Sequence, residues 1–106
     1  MRIVSYEKIT WSPTPYTGVY YHWLKKEENV KGGTALIKIE KGASLPKHKH
    51  PGYEKIILLE GRLLINDNNI SPNTLVLLDA NTLHYVKAIE DSIYITVSEM
   101  DGVSLE

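Results

Sequence analysis

The sequence predicts an all-β protein, a single domain over residues 1–106 folded as a sandwich or jelly roll, and three observations lead there. Short runs of β-type residues are punctuated throughout by Gly, Pro, Asn and Asp. No stretch keeps a 3.6-residue apolar period. The length suffices for one hydrophobic core and is too short for a second, so a single barrel rather than a two-barrel enzyme is expected.

Strands are expected near Ile3–Tyr6, Val19–Leu24, Thr34–Glu40, Tyr53–Leu59, Arg62–Ile65, Thr74–Leu78, His84–Ile89 and Ile93–Ser98. Lys25-Lys26-Glu27-Glu28 reads as a solvated turn. Glu60-Gly61 should turn a hairpin, Asp67-Asn68-Asn69 should end its return strand, and Ser71-Pro72-Asn73 should make the next reversal. Ile56-Ile57-Leu58-Leu59 and Val76-Leu77-Leu78 are apolar on both strand faces, so one parity lines the core and the other needs a cover. A second copy of the chain in a two-fold homodimer is one cover; the opposing sheet or the N-terminal segment is the other.

The chemistry concentrates in residues 42–61, which read Gly42-x5-His48-x-His50-x3-Glu54-x6-Gly61, followed by His84 on a separate apolar segment. His48 and His50 are two apart, so in an extended strand both imidazoles leave the same face. Pro51-Gly52 supplies a turn that lets Glu54 swing back toward the same point. Glu54 and His84 each interrupt an apolar run, where an unpaired polar group is costly. Three imidazoles and one carboxylate suit a divalent transition metal and are too nitrogen-rich for calcium or magnesium.

These spacings resemble the cupin family. Its first motif, G-x5-H-x-H-x3,4-E-x6-G, is met at every defined position by Gly42, His48, His50, Glu54 and Gly61. Its second motif, over 73–88, keeps only the spacing around His84: Asn73 and Asn81 stand where the family has glycines, Asp79 where it has proline, and Ala88 where it has asparagine. Asparagine tolerates the left-handed conformation, so both turns remain possible. The resemblance implies a jelly-roll barrel, the double-stranded β-helix, with His48, His50, Glu54 and His84 as metal ligands. Trp11-Ser-Pro, Gly18-Val19, Leu24, Gly33-Thr-Ala-Leu-Ile and Gly42-Ala-Ser-Leu-Pro are similar to the branch that holds the cupin-like domain of an anti-sigma factor and small diketone-cleaving dioxygenases.

Composition narrows the partners. The formal net charge is −1, and no Lys/Arg stretch suggests a nucleic-acid surface. Arg2 and Arg62 are the only arginines, which disfavours phosphosugar substrates that need a bidentate clamp. Absence of cysteine excludes disulfides and thiol catalysis and fits a reducing cytoplasm. The first residues lack the apolar stretch of a signal peptide, and no apolar run is long enough to span a bilayer, so a cytoplasmic location is expected.

Four ligands on an octahedral ion would leave two positions for water, oxygen or a chelating substrate. Iron, manganese, nickel, copper and zinc all fit such a set, and binding should weaken as the histidines protonate. No catalytic base or acid declares itself. Tyr85 should point away from the ligands by alternation. Tyr16, Tyr20, Tyr21, Trp23 and Tyr94 read as core aromatics, with the barrel mouth as the alternative. His22 reads as a satisfied strand histidine rather than a proton carrier, and Glu60 as a solvent-facing turn residue. The preferred function is a metal-dependent oxygenase or isomerase acting on a small chelating organic molecule held in the barrel. A non-catalytic sensor or ligand-binding module acting through a protein partner is the alternative, and a metal-free, hydrogen-bonded barrel a third.

Overall fold

A computed structural model of the chain describes residues 1–27, 32–99 and 104–105. Its strands are β1 (Ser12–Pro13), β2 (Val19–Glu27), β3 (Gly32–Ile39), β4 (Ser44–Lys49), β5 (Glu54–Glu60), β6 (Leu63–Ile65), β7 (Asn68–Ile70), β8 (Leu75–Leu78), β9 (His84–Ala88), β10 (Ser92–Ser98) and β11 (Ser104–Leu105). They form two antiparallel sheets, one in the order β1-β2-β3-β10-β5-β8 and the other β11-β4-β9-β6-β7. The all-β jelly-roll expectation holds. Among the described residues no helix is long and apolar enough to cross a membrane.

The core forms where the two inner faces meet. Ile39, Ile56, Leu58, Tyr94 and Val19 come from the first sheet, and Leu63, Ile65, Val86 and Ala88 from the second. Alternation explains the selection: Ile56 and Leu58 are at most 1% exposed, whereas Ile57 and Leu59 are only half-buried on the outer face. Each Val, Leu or Ile side chain so enclosed contributes about 1.5–3 kcal/mol.

Several sequence expectations need correction. Ile3–Tyr6 is not a strand; a single 3-10 turn spans Tyr6–Lys8 instead. Lys25 and Lys26 do not form a turn but continue β2, whose pairing with β3 runs to Glu27; Glu28 lies outside the described residues. Glu60-Gly61 does not close a hairpin, because β5 and β6 belong to different sheets and Gly61 carries the chain across. The hairpin is the next one, β6–β7, turned at Asn66 and Asp67 with φ of 47° and 66°. Two positive φ values in a two-residue loop make the type I′ turn that matches strand twist, and Asn-Asp is a natural occupant. The motif substitutions Asn73 and Asn81 sit at φ of 64° and 62°, so both take the left-handed turns that glycine would.

Gly61 shows why the crossing needs glycine. Its φ is 95°, and a Cβ there would lie 2.2 Å from Ser92 Oγ and 2.4 Å from Asp91 O. Ser92, itself buried, accepts the Arg62 N–H at 3.0 Å and donates to Glu90 O at 2.7 Å, so it cannot withdraw without breaking the crossing. Gly42, at φ 86°, has no atom within 4 Å of the same position. Gly61→Ala should therefore cost more than the about 1–3 kcal/mol of backbone strain alone, while Gly42→Ala should cost only that strain. Urea unfolding of the two variants measures the difference, and equal losses would remove the steric argument.

Candidate metal centre

The motif residues arrive at one end of the sandwich from both sheets. His48 and His84 are directly opposed across the β4–β9 ladder, with ring centroids 4.2 Å apart. A register shift between Leu45 and His48 bends β4 at Pro46, and His50 follows just beyond the strand. Asn81 N–H donates to His50 O at 2.8 Å, so the left-handed turn before β9 also anchors the second histidine. Pro51-Gly52 bends the chain as expected, and Glu54 opens β5 in the opposite sheet. The result is a cluster in which one ligand-type atom each from His48, His50, Glu54 and His84 lies within 4.8 Å of all the others.

Hydrogen bonds outside the cluster decide what its atoms can do. His48 Nδ1 donates to Pro46 O at 2.7 Å, and His84 Nδ1 donates to Thr82 O at 3.1 Å. A neutral imidazole whose proton is on Nδ1 carries a bare lone pair on Nε2. Those carbonyls thus fix tautomer and ring orientation together. Glu54 Oε1 lies 3.1 Å from His84 Nε2 and 3.3 Å from His50 Nε2, and yet it accepts a hydrogen bond from neither. With a neutral His84 ring, the Nε2 lone pair faces the carboxylate lone pairs inside a buried site. A cation at the common point relieves that repulsion, so the donor set fits a transition metal.

The electrostatics agree. Burial pushes the Glu54 carboxyl up, but positive charge and N–H donation from His50 and His84 rings that carry a proton on the inward nitrogen, together with the Thr96 hydroxyl, outweigh it and hold the group well below the usual carboxylate range, so the carboxylate is stabilised when a positive charge faces it. Glu54 is therefore an anion, 7% exposed, in a place that needs a countercharge. Burial lowers His48 below its ordinary value; the Pro46 carbonyl opposes this, and His84 and His50 reinforce it.

A cavity of about 380 Å³ lies against the cluster, reaching His48, His50 and Glu54. Its apolar walls are Tyr16, Tyr21, Trp23, Ala35, Ile37, Leu45 and Pro46, with Tyr94, Thr96 and Ser98 along β10. The sequence reading of the aromatics as core is thus corrected for Tyr21 and Trp23, which face the cavity; Tyr16, packed against the core, and Tyr94, 2% exposed, do both. Tyr20 stays outside the cavity, where Glu40 raises its pKa. Tyr85 points away as alternation requires, its hydroxyl bonded to Asp67. His22 donates Nδ1–H to Thr10 O at 3.0 Å and lies outside the cavity, and Glu60 is exposed. Sequence reasoning missed Thr96 and the two carbonyls. The signal for Thr96 was there, because Tyr94, Thr96 and Ser98 place polar atoms on one parity of an otherwise apolar strand.

The lowered His48 pKa has a definite sign for stability. The fold binds fewer protons at His48 than the unfolded chain does, so its contribution is complete above pH 6.5 and fades as pH falls through that value. The Tm of metal-free protein should drop between about pH 7.5 and 5.5, and His48→Gln should flatten the drop. A profile unchanged by the substitution would contradict the assignment.

Comparison with known proteins bears on the same architecture. The family of ChrR cupin-like domains matches residues 1–101. No protein with a curated description matches the sequence. A candidate acetylacetone dioxygenase of Methylibium petroleiphilum PM1 superposes with a TM-score of 0.86 at 18% identity, covering 100% of this chain and 81% of the other. An acetylacetone dioxygenase of Acinetobacter johnsonii gives a TM-score of 0.78 at 17% identity, covering 93% and 76%. The Rhodobacter sphaeroides complex of SigE with the anti-sigma ChrR gives 0.74 at 22% identity, over 87% of this chain and 49% of that one. At these identities the superpositions speak for the fold. The sequence match over nearly the whole chain goes further, and the protein belongs to the ChrR cupin-like domain family of the cupins.

Proposed function

We propose that His48, His50, Glu54 and His84 hold one divalent transition-metal ion, and that the protein is a small metal-dependent oxygenase or isomerase. Its substrate would be a compact organic molecule that chelates the ion. The observation that carries this reading is the convergence of Nε2 lone pairs and a buried carboxylate oxygen on one point beside a largely apolar cavity. Such an ion supplies Lewis acidity and, if redox-active, electrons to dioxygen.

The chain's own residues set what the cavity admits. No lysine or arginine is among its described lining residues, so an anionic group remote from the ion would find no counter-ion. Tyr16, Tyr21 and Trp23 enclose an apolar body and exclude water. Thr14 Oγ1 donates to Val19 O at 2.8 Å and Thr96 Oγ1 donates to Glu54, which leaves the hydroxyls of Tyr16, Tyr21, Tyr94 and Ser98 to orient a ligand away from the ion. Burial, with the Glu54 charge adding to it, raises the Tyr94 pKa and keeps the phenol protonated at neutral pH.

The test starts with elemental analysis of protein purified without added metal, where about one equivalent of a transition metal is expected. His48→Ala or His84→Ala should abolish stoichiometric binding. Metal-loaded protein is then assayed for oxygen uptake or product formation on diketones, enols and phenols; inertness toward the whole panel would defeat the enzyme reading.

A second reading, a non-catalytic metal or ligand sensor acting through a protein partner, draws on the family match and on the ChrR–SigE complex. Capture of a stoichiometric protein partner from cell extract, together with that inertness, favours it. The cysteine-free sequence supports a cytoplasmic setting for either.

We also read the protein as a homodimer. Ile57, Leu59, Ile95 and Val97 are half-buried on the outer face of the first sheet, and Leu75 and Leu77 on its edge strand β8 are 53% and 66% exposed. The N-terminal segment attaches to the same sheet, at His22 and Leu24 of β2, on the far side of β3 from β10, β5 and β8. A second copy fits best, since an identical largely apolar face, with Lys55 at its margin, and an identical open strand edge meet in a two-fold contact. Light scattering should give twice the 12.0 kDa chain mass, with Leu77→Lys shifting it toward one. A parent protein that is monomeric at micromolar concentration overturns this.

A further inference from the structure

The two oxygens of Glu54 are in different situations. Oε2 accepts the hydroxyl of Thr96, while Oε1 accepts no hydrogen bond and faces the Nε2 atoms of His50 and His84. The difference is built by register. In the β5–β10 ladder Glu54 is opposite Ser98 and Ile56 is opposite Thr96, so Thr96 is the diagonal neighbour of Glu54 on the inner face. Its partner across β3 is Ala35, too small to displace it. A carboxylate with one oxygen tied to a strand has lost its freedom to swing about its last torsion.

We infer that Thr96 is a positioning residue that pins Oε2 of Glu54, so that Oε1 alone is offered to the ion. This rests on the four-residue metal reading above. Thr96 also borders the cavity, beside Glu54 itself. A carboxylate released from this tie can turn both oxygens toward a cation, which would fill a position otherwise open to a ligand. Outer hydrogen bonds to ligating groups tune affinity by about 10- to 100-fold when removed, which sets the expected size.

The experiment uses the full chain with cobalt(II) alone. Affinity is read by competition titration, and the number of oxygen and nitrogen neighbours by X-ray absorption, for the parent and for Thr96→Ser, Thr96→Val and Thr96→Ala. Ser keeps the hydroxyl and should match the parent. Val and Ala should bind about 10- to 100-fold more weakly, with an altered neighbour count. Val and Ala each remove the hydroxyl, one keeping the side-chain volume and one not, so failure of either to fold leaves the other to decide. Parent-like affinity and neighbour count in a folded Val or Ala variant would overturn the inference, as would a Ser variant as weak as Val. A parent that binds no cobalt would instead remove the metal reading itself.

Discussion

Two backbone carbonyls govern the whole site. By accepting the Nδ1 protons of His48 and His84, Pro46 O and Thr82 O leave the inward nitrogens bare in the neutral rings. Each carbonyl is two residues before the histidine it holds, so the arrangement is local to the strand that delivers each ring. The carboxylate of Glu54 and the His50 ring then complete a centre of four ligand-type atoms with no hydrogen bond to Oε1. Burial magnifies the mismatch, because a low-dielectric surrounding strengthens repulsion as much as attraction. The rest of the molecule exists, in energetic terms, to hold that unfavourable convergence in place.

The convergence was legible because its ingredients are close in sequence. His48, His50, Pro51-Gly52 and Glu54 occupy one short stretch, and spacing alone dictates that they can meet. His84 was legible for a different reason: a polar residue in an apolar strand announces a special environment. Asn73 and Asn81 were correctly expected to replace glycine, since their left-handed φ is a property of the residue type. Which strands share a sheet was less accessible. Gly61 looks like a hairpin residue, and only the long-range pairing of β6 with β9 reveals that the chain has changed layers there.

The aromatic residues mark another boundary of what a sequence discloses. Tyr16, Tyr21 and Trp23 have the composition of core aromatics, and nothing local distinguishes a wall of a cavity from a filled interior. For Trp23 the distinction lies in Ala35, the small residue opposite it on the neighbouring strand, which also lines the cavity. Thr96 is similar. Its importance is a diagonal contact between strands more than forty residues apart in sequence, |i−j| = 42.

The placement of the cluster across both layers has a mechanical meaning. His48 and His84 belong to one sheet and Glu54 to the other, so anything seated between them fastens the two layers together at that end. The opposite end is closed by packed aliphatic side chains such as Leu58, Leu63 and Ala88. With an ion seated there, the sandwich would be riveted by oil at one end and by charge at the other. Breathing motions, and the amide hydrogen exchange that reports them, would concentrate at the charged end whenever its occupant departs.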